Sequence, residues 1–579
     1  MIRVVLAEKP SQAREYGKAL GKSENKGGVI IVKDSPYVDG EIHIVAARGH
    51  LFEYQNPKEN WDFNKLPLSD SNLELSLKDD EDIKKRFSII KNEVKKAGEV
   101  IIGTDADREG ERIAYTILSK IPDGLNKATK RLWINSMTTE AIQNSFRNLK
   151  NAKETKNLYH EADARSISDW IVGMNLTQLT TLDLQRKKII PNKKGNVMSV
   201  GRVQTPTVRL ICENDQAIKN FIPEKYSKIV LQDQNGDINF SNEEKYFDRT
   251  EALKLIEKSS DIAEIIDIVQ ETKEKKPPKL FSLTTLQAYG SKHWKKSADE
   301  ILKICQSLYD KKFLTYPRTD SNFITHFEFE YLFDNVEKYQ KVLGKEFEIV
   351  NIKPRKNYVN DKKVQEHFAI IPTEQIPDLT TLNEDEQLVY VTVTLRSILM
   401  FAGNYKYYST VVTVKHDDLE YKSSGNQLKD LGYKKILESK IKEDIVLPHY
   451  QKGQQIKVSV LEKEDVTKPP KRITEEVLLA KIFPKFQLGT PATRATIIET
   501  IQKRKYVKKD KKTGQFTPTK RGYQLINYLK DSMFSDPKVT SGWEILLKKV
   551  GEGSLPKEHF VSGIRQKVTE QIEQIKNSK

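Results

Sequence analysis

Along the first 150 positions, apolar residues come in short β-branched runs separated by amphipathic stretches, clearest at 4–7 (VVLA) and 100–104 (VIIGT). Unbroken apolarity over four or five positions suits strands buried on both faces, as in a parallel sheet. The alternation predicts an α/β sheet over 1–150, and such sheets bind ligands at the carboxyl ends of their strands. From 151 to 216 the spacing turns helical and runs into the basic stretch QRKKIIPNKKGNVMSVGR. Residues 217–278 read as β-rich, with an Asn-Gly hairpin signal in QDQNGDINF and a linker-like KEKKPP at their end.

Beyond that linker, SADEILKICQSLYDKKF predicts a helix. Ser297 and Glu300 form a capping box, and Ile301, Leu302, Ile304, Cys305, Leu308 and Tyr309 keep helical spacing. The helix delivers the chain to FLTYPRTDS at 313–321. Residues 390–465 begin helical, then return to strands in VVTVKH and IKVSVLE, which are expected to pair with the earlier β-rich segment as a discontinuous domain. Near the carboxyl end, TPATRATIIETIQKRKYV predicts a helix with Thr490 as N-cap and Pro491 at its first position. The basic hairpin KKDKKTGQFTPTKRG follows, so the pair resembles a winged helix, and 297–321 is a candidate for a related unit.

At 579 residues and 37% hydrophobic content the chain can bury several cores, and usual domain sizes suggest about four domains. A net charge of +16 favours a polyanionic partner. Nucleic acid is preferred to membrane, because no lipidation signal or run of 18 apolar residues occurs. The two cysteines, Cys212 and Cys305, stand far apart, which excludes a CxxC zinc ribbon and argues against a disulfide framework. A reducing cytoplasm is the expected compartment, since MIRVVLAEKPS lacks the apolar core of a signal peptide.

Directly after the second apolar run, TDADREGER places Asp105, Asp107 and Glu109 at alternate positions. On an extended backbone they share a face, and three converging carboxylates call for a hard divalent cation such as Mg²⁺. Glu8 follows the other strand. A strand-end glutamate with a D-x-D-x-E triad resembles the Toprim fold, found in topoisomerases, bacterial primases and certain nucleases, and does not choose among them. GKALGKS at 17–23 imitates a phosphate loop, but three residues separate its glycines where four are needed.

Tyr316 sits between a threonine and Pro317, with Arg318 two positions on. Only about one free phenol in a thousand is ionised at neutral pH, so a nucleophilic tyrosine needs cationic help or a base. Pro317 favours an extended Tyr316, which brings Tyr316 and Arg318 to one side. TYPRTDS resembles the active-site signature of type IA DNA topoisomerases. AEKPS (7–11), TDADREGE (104–111), SVGRVQTPT (199–207), PPKLFSLTTLQ (277–287), EHFAIIPT (366–373) and LGTPATRATIIE (488–499) resemble that family's other motifs in order. The AEKPS and SVGRVQTPT forms are similar to its topoisomerase III branch.

The resemblance implies a four-domain torus: a Toprim domain (1–150), a single-strand-binding, winged-helix-like domain (151–216 and 466–579), a β-rich arch (217–278 and 405–465) and a domain bearing the tyrosine (279–404). It implies that Tyr316 attacks a phosphodiester of single-stranded DNA, that Arg318, Lys9 and His367 contact phosphate, and that Glu8 donates a proton to the leaving 3′-oxygen. Glu8, Asp105, Asp107 and Glu109 are the implied Mg²⁺ ligands. Arg165, Asp169, Arg202, Gln204, Thr205 and Arg494 are the implied DNA-binding residues. Implied substrates are negatively supercoiled or catenated DNA, with a helicase as a candidate partner and a monomer as the expected state. Two features depart from the pattern. EHFAIIPT replaces the DHHAIIPT of many topoisomerase III sequences, and 217–278 holds no clear basic insertion like a decatenation loop.

Overall fold

The computed structural model describes residues 1–577 apart from 56–60, 71–72, 135–136, 194, 236–237, 365–366 and 438–445. Gly236 of the expected Asn-Gly turn, Glu366 before His367 and Lys194 of the basic stretch lie outside the described residues. Seven strands form the amino-terminal sheet, in the order Ser23–Lys26, Val29–Val32, Glu41–Ala46, Ile2–Ala7, Glu99–Gly103, Ala128–Arg131 and Lys150–Asn151. The four from Glu41–Ala46 to Ala128–Arg131 run parallel.

Alternate residues of the central strands serve opposite cores. Val4, Leu6, Val100 and Ile102 pack with Ile90, Val94, Ile113 and Ile117 on one face. Val5, Ala7 and Ile101 pack with Tyr16, Leu20, Ile142 and Phe146 on the other. Burial on both faces is why these strands read as unbroken apolar runs. The phosphate-loop lookalike at 17–23 begins inside the helix Pro10–Leu20, not in a loop after a strand.

Two distant segments close a six-stranded barrel, in the order Lys225–Asp233, Asn239–Ser241, Leu419–Asp430, Tyr405–His416, Ile262–Lys275 and Gln455–Val466. Closure removes exposed strand edges, and Ile229, Leu231, Phe240, Ile265, Val412, Val414 and Ile456 fill the interior. The linker reading of KEKKPP is corrected at its start. Lys273, Glu274 and Lys275 are strand, paired with Tyr407, Lys406 and Tyr405.

The largest core joins the long helix Lys156–Arg186 to helices Gln204–Lys219, Pro491–Lys503, Pro537–Gly551 and Lys557–Asn577. Leu176, Ile211, Ile498, Leu547 and Ile564 all belong to it. The strands Val507–Lys509 and Phe516–Pro518 pair antiparallel as a wing after Pro491–Lys503. Helix Ala298–Asp310 begins at Ser297 with its capping box formed and buries Ile301, Cys305 and Leu308. The segment after it makes no wing of its own. Instead, Thr315 N–H donates to the Ile371 carbonyl at 3.0 Å and Thr373 N–H to the Phe313 carbonyl at 3.1 Å. Among the described residues no helix is long and apolar enough to cross a membrane.

Candidate active site

Ala7 and Gly103 are register partners on adjacent parallel strands, so Glu8 and Thr104 leave the sheet side by side. Each strand then turns into a helix. Pro10 opens Pro10–Leu20, where its missing N–H costs nothing, and Asp107 caps Arg108–Ser119 by accepting from Gly110 N–H at 2.7 Å. The two turns place Glu8, Lys9 and Asp105 together. Asp105 N–H donates to Glu8 Oε2 at 3.3 Å, and Lys9 Nζ to Asp105 Oδ2 at 3.1 Å.

Tyr316 arrives from the far side. Its hydroxyl donates to Asp105 Oδ2 at 3.0 Å, and the residue is 4% exposed. The Tyr309 ring stands 5.4 Å from its ring on one side and that of His367 4.5 Å away on another. Arg318 comes from the same segment, and its buried Nε has no hydrogen-bond partner. A buried cationic donor left unmatched is a costly arrangement that an anionic ligand would relieve. Lys312 pairs with Glu15 on helix Pro10–Leu20, a second contact between the tyrosine segment and the amino-terminal unit.

The electrostatics suit a poised site. Burial, then Asp105, then Asp107 push the Glu8 carboxyl up to about 8, against the opposing pull of Lys9. Burial and Asp105 push Asp107 up to about 6. Burial raises Asp105 too, but Lys9, Tyr316 and Gln12 outweigh it and hold Asp105 below the ordinary range. The Tyr316 phenol is raised well above its usual value, by burial and then by Asp105 and Asp107. It therefore rests protonated. Burial lowers His367 to about 4, leaving a neutral imidazole.

One expectation fails here. Extended backbone was to carry Asp105, Asp107 and Glu109 on one face, but the helix starts at Arg108, so Glu109 lies in its first turn. Its carboxylate is 40% exposed and accepts from Arg165 Nη1 at 3.1 Å, with His50 Nε2 at 3.4 Å. Burial would raise Glu109, yet His50 and Arg165 bring it to about 2. The clustered carboxylates are Glu8, Asp105 and Asp107. Their oxygen donors and mutual repulsion fit a hard divalent cation. As folded, though, Lys9, Tyr316 and Gln12 occupy both oxygens of Asp105, and among the described residues no three such side chains are spaced to hold an ion.

The residues expected to line a DNA groove are held mostly in ion pairs. Arg202 donates through Nε to Asp169 at 2.8 Å and through Nη1 to Glu544 at 2.7 Å. Arg165 bridges Glu109 and Asp169. Arg494 is buried and donates to Asp320 at 3.0 Å and to Thr284 at 2.6 Å, tying helix Pro491–Lys503 to the tyrosine segment. Gln204 accepts from Arg504. Thr205 is 0% exposed, and its hydroxyl accepts from Gly201 N–H at 3.0 Å, shaping the helix start.

Sequence reading missed two supports of this site. Gln12, one helical turn after Glu8, donates to Asp105 Oδ1 at 2.8 Å and accepts from Glu8 N–H at 3.0 Å; its spacing from AEKPS was the available signal. Arg131 is fully buried beneath the acidic turn and donates to the Thr104 and Asp105 carbonyls at 2.9 and 2.6 Å while pairing with buried Glu111. In KATKRLWI it looks like one more surface cation.

Gly110 gives a direct test of the turn, because a Cβ there would stand 2.1 Å from the Asp105 carbonyl oxygen. Gly110→Ala is expected to cost about 1–3 kcal/mol of stability by overpacking. It is also expected to slow the chemistry of the site by about 10²-fold through displacement of Asp105. A urea melt and a single-turnover rate measurement check the two effects.

Comparison with known proteins gives the class of the chain. Two family models match it: the Toprim domain at 3–137 and DNA topoisomerase at 153–562. The chain belongs to the type IA DNA topoisomerases. DNA topoisomerase 3 of Bacillus cereus is 32% identical over 634 residues, covering 99% of this chain and 82% of that protein. DNA topoisomerase 3 of Bacillus subtilis is 31% identical over 627 residues, with the same coverage. The fold is shared with full-length topoisomerase I from Thermotoga maritima, at a TM-score of 0.72, 24% identity, and coverage of 98% of this chain and 90% of that one.

Proposed function

We propose that this enzyme relaxes and decatenates DNA by cutting one strand through Tyr316, passing another strand through the gap, and resealing. The observation that carries the reading is the buried hydrogen bond from the Tyr316 hydroxyl to Asp105 Oδ2 at 3.0 Å, which sets a tyrosine against the acidic edge of the Toprim sheet. Tyr316 Oη attacks phosphorus as the bond from phosphorus to the 3′-oxygen breaks, giving a 5′-phosphotyrosyl ester and a free 3′-hydroxyl. Asp105 is the acceptor already in place for the phenolic proton, a role the sequence left without a candidate. Glu8, pushed up to about 8, is mostly protonated at neutral pH and gives its proton to the departing 3′-oxygen.

Arg318 carries its unmatched Nε toward the phosphate that Tyr316 attacks, Lys9 adds a second cation, and neutral His367 packs on the tyrosine ring. The ester keeps the energy of the broken bond, so resealing needs no ATP. Glu8, Asp105 and Asp107 would hold Mg²⁺, which when bound supplies positive charge supporting religation and strand passage. Because Asp105 Oδ2 bonds Tyr316 in the closed site, this carboxylate must release the phenol before it can serve as a ligand.

Four units make up the ring in this reading: 1–150, 151–216 with 466–579, 217–278 with 405–465, and 279–404. Closure of one barrel by strands of two segments supports the third unit, and the contacts of Tyr316 and Lys312 with the first unit form the closed gate. Arg165, Asp169, Arg202, Gln204 and Arg494 belong to the single-strand path, where phosphate contacts give salt-sensitive affinity without reading bases. The enzyme works as a cytoplasmic monomer, with a helicase as the class of partner that supplies single strands.

The test is to incubate the purified chain with negatively supercoiled plasmid and Mg²⁺ in the absence of ATP. A ladder of topoisomers of rising linking number is expected. Unchanged linking number, or free DNA ends without attached protein, would count against the proposal.

A further inference from the structure

Glu544 belongs to none of the sequence motifs, yet it meets two arginines from different parts of the chain. Its helix, Pro537–Gly551, presents Thr540, Trp543 and Glu544 on one face, spaced three and four residues apart. All three hold Arg202. Thr540 Oγ1 donates to the Arg202 carbonyl at 2.8 Å, the Trp543 ring lies 5.4 Å beneath the guanidinium, and Glu544 Oε1 accepts from Nη1 at 2.7 Å. Asp169 takes Nε at 2.8 Å, so only Nη2 is left, buried and without a hydrogen-bond partner on a residue 5% exposed.

The other oxygen of Glu544 faces Arg108, with both Nη1 and Nη2 at 3.5 Å. Arg108 opens the helix that Asp107 caps and also pairs with buried Glu161. Burial would raise Glu544, but Arg202, Arg108 and Arg165 bring it to about 2, so the carboxylate stays charged at working pH. One anion thus binds the first residue of the acidic-turn helix and the arginine of the SVGRVQTPT motif.

We infer that Glu544 is a positioning residue: it sets the acidic turn and Arg202 in register, so that a strand bound along the groove presents its scissile phosphate to Tyr316. The inference rests on the proposed function and adds a residue outside the family motifs. Glu544 is an anion in a DNA path, so its removal separates two effects. Net positive charge rises by one, which favours binding, while the register that places the phosphate is lost.

The experiment measures a single-stranded oligonucleotide twice, by anisotropy for affinity and by single-turnover covalent-complex formation for rate. Glu544→Gln is expected to slow complex formation by about 10- to 100-fold, the scale of a misplacement near 1 Å. Affinity is expected to stay within about threefold or tighten, with a steeper salt dependence. Glu544→Asp, which keeps the charge, is expected to lie between the two. A thermal melt identifies the folded fraction. If Glu544→Gln does not fold, Glu544→Asp carries the test with the same split between rate and affinity.

A folded variant with the wild-type rate would overturn the inference, as would rate and affinity falling together. Absence of any covalent complex from the unmutated chain would instead overturn the proposed function, and this inference with it.

Discussion

Tyr316→Phe is expected to leave no covalent complex with single-stranded DNA and no change in plasmid linking number. Removal of a covalent nucleophile costs on the order of 10⁶-fold in rate, far below what a gel detects. The phenol has no substitute nearby. Tyr16 is buried and Tyr309 partly buried, and both, like Tyr316, are held well above the usual tyrosine range by desolvation and then by Asp105. Tyr16 already donates to the Gly103 carbonyl at 3.0 Å. Binding is expected to survive within about threefold, because the substitution leaves every cation of the site and of the proposed single-strand path in place. The lost hydrogen bond to a charged acceptor contributes about 1.5–3 kcal/mol to holding the gate closed. The variant should therefore also expose the contact between the tyrosine segment and the turn carrying Asp105 more readily in hydrogen exchange. Covalent adducts from Tyr316→Phe would remove Tyr316 from the mechanism.

Arg131→Met is expected to be the most destabilising single change near the site. Arg131 and Glu111 are both 0% exposed. Besides the ion pair, the guanidinium donates to the carbonyls of Ile102, Thr104, Leu132 and Asp105. Removing one partner of a buried pair strands the other, at about 3–5 kcal/mol. Urea denaturation of the full chain should show its first transition at a much lower midpoint. In Arg131→Met/Glu111→Leu the stranded carboxylate is gone, so most of that loss should return. Cleavage should not return with it, since the Thr104 and Asp105 carbonyls still lack their donor and the turn carrying Asp105 is unsupported. Full recovery of cleavage in the double variant would show that Arg131 serves stability alone.

The two variants mark how far sequence reading reaches into this site. Tyr316, Glu8, Lys9 and Asp105 lie in contiguous motifs at predicted strand ends, and the structure brings them together. Glu109 was misplaced because the alternate spacing of D-x-D-x-E fits an extended backbone, and nothing in those five letters shows that Asp107 becomes an N-cap and turns the next residue into a helix. Thr205 shows a limit of letters alone, because a motif threonine that holds its own turn has the same letters as one that touches a ligand. Arg131 and Glu544 carried no signal, since a buried arginine among lysines and a glutamate on an amphipathic helix look like solvated charges until packing buries them.

By itself the sequence determined the elements and their chemistry: apolar runs that had to be strands, a capping box at Ser297 and an N-cap at Thr490, two acidic strand ends, and one tyrosine set between threonine and proline. Those are local properties, written in periodicity and in the backbone preferences of a few residues. The tertiary structure alone decided that Asp105 accepts from Tyr316 across 211 positions, that a barrel closes from two segments, and that Glu544 joins Arg108 to Arg202. Such contacts depend on where separate elements dock, and docking is set by the summed burial of many side chains, not by any short stretch that a reader can isolate.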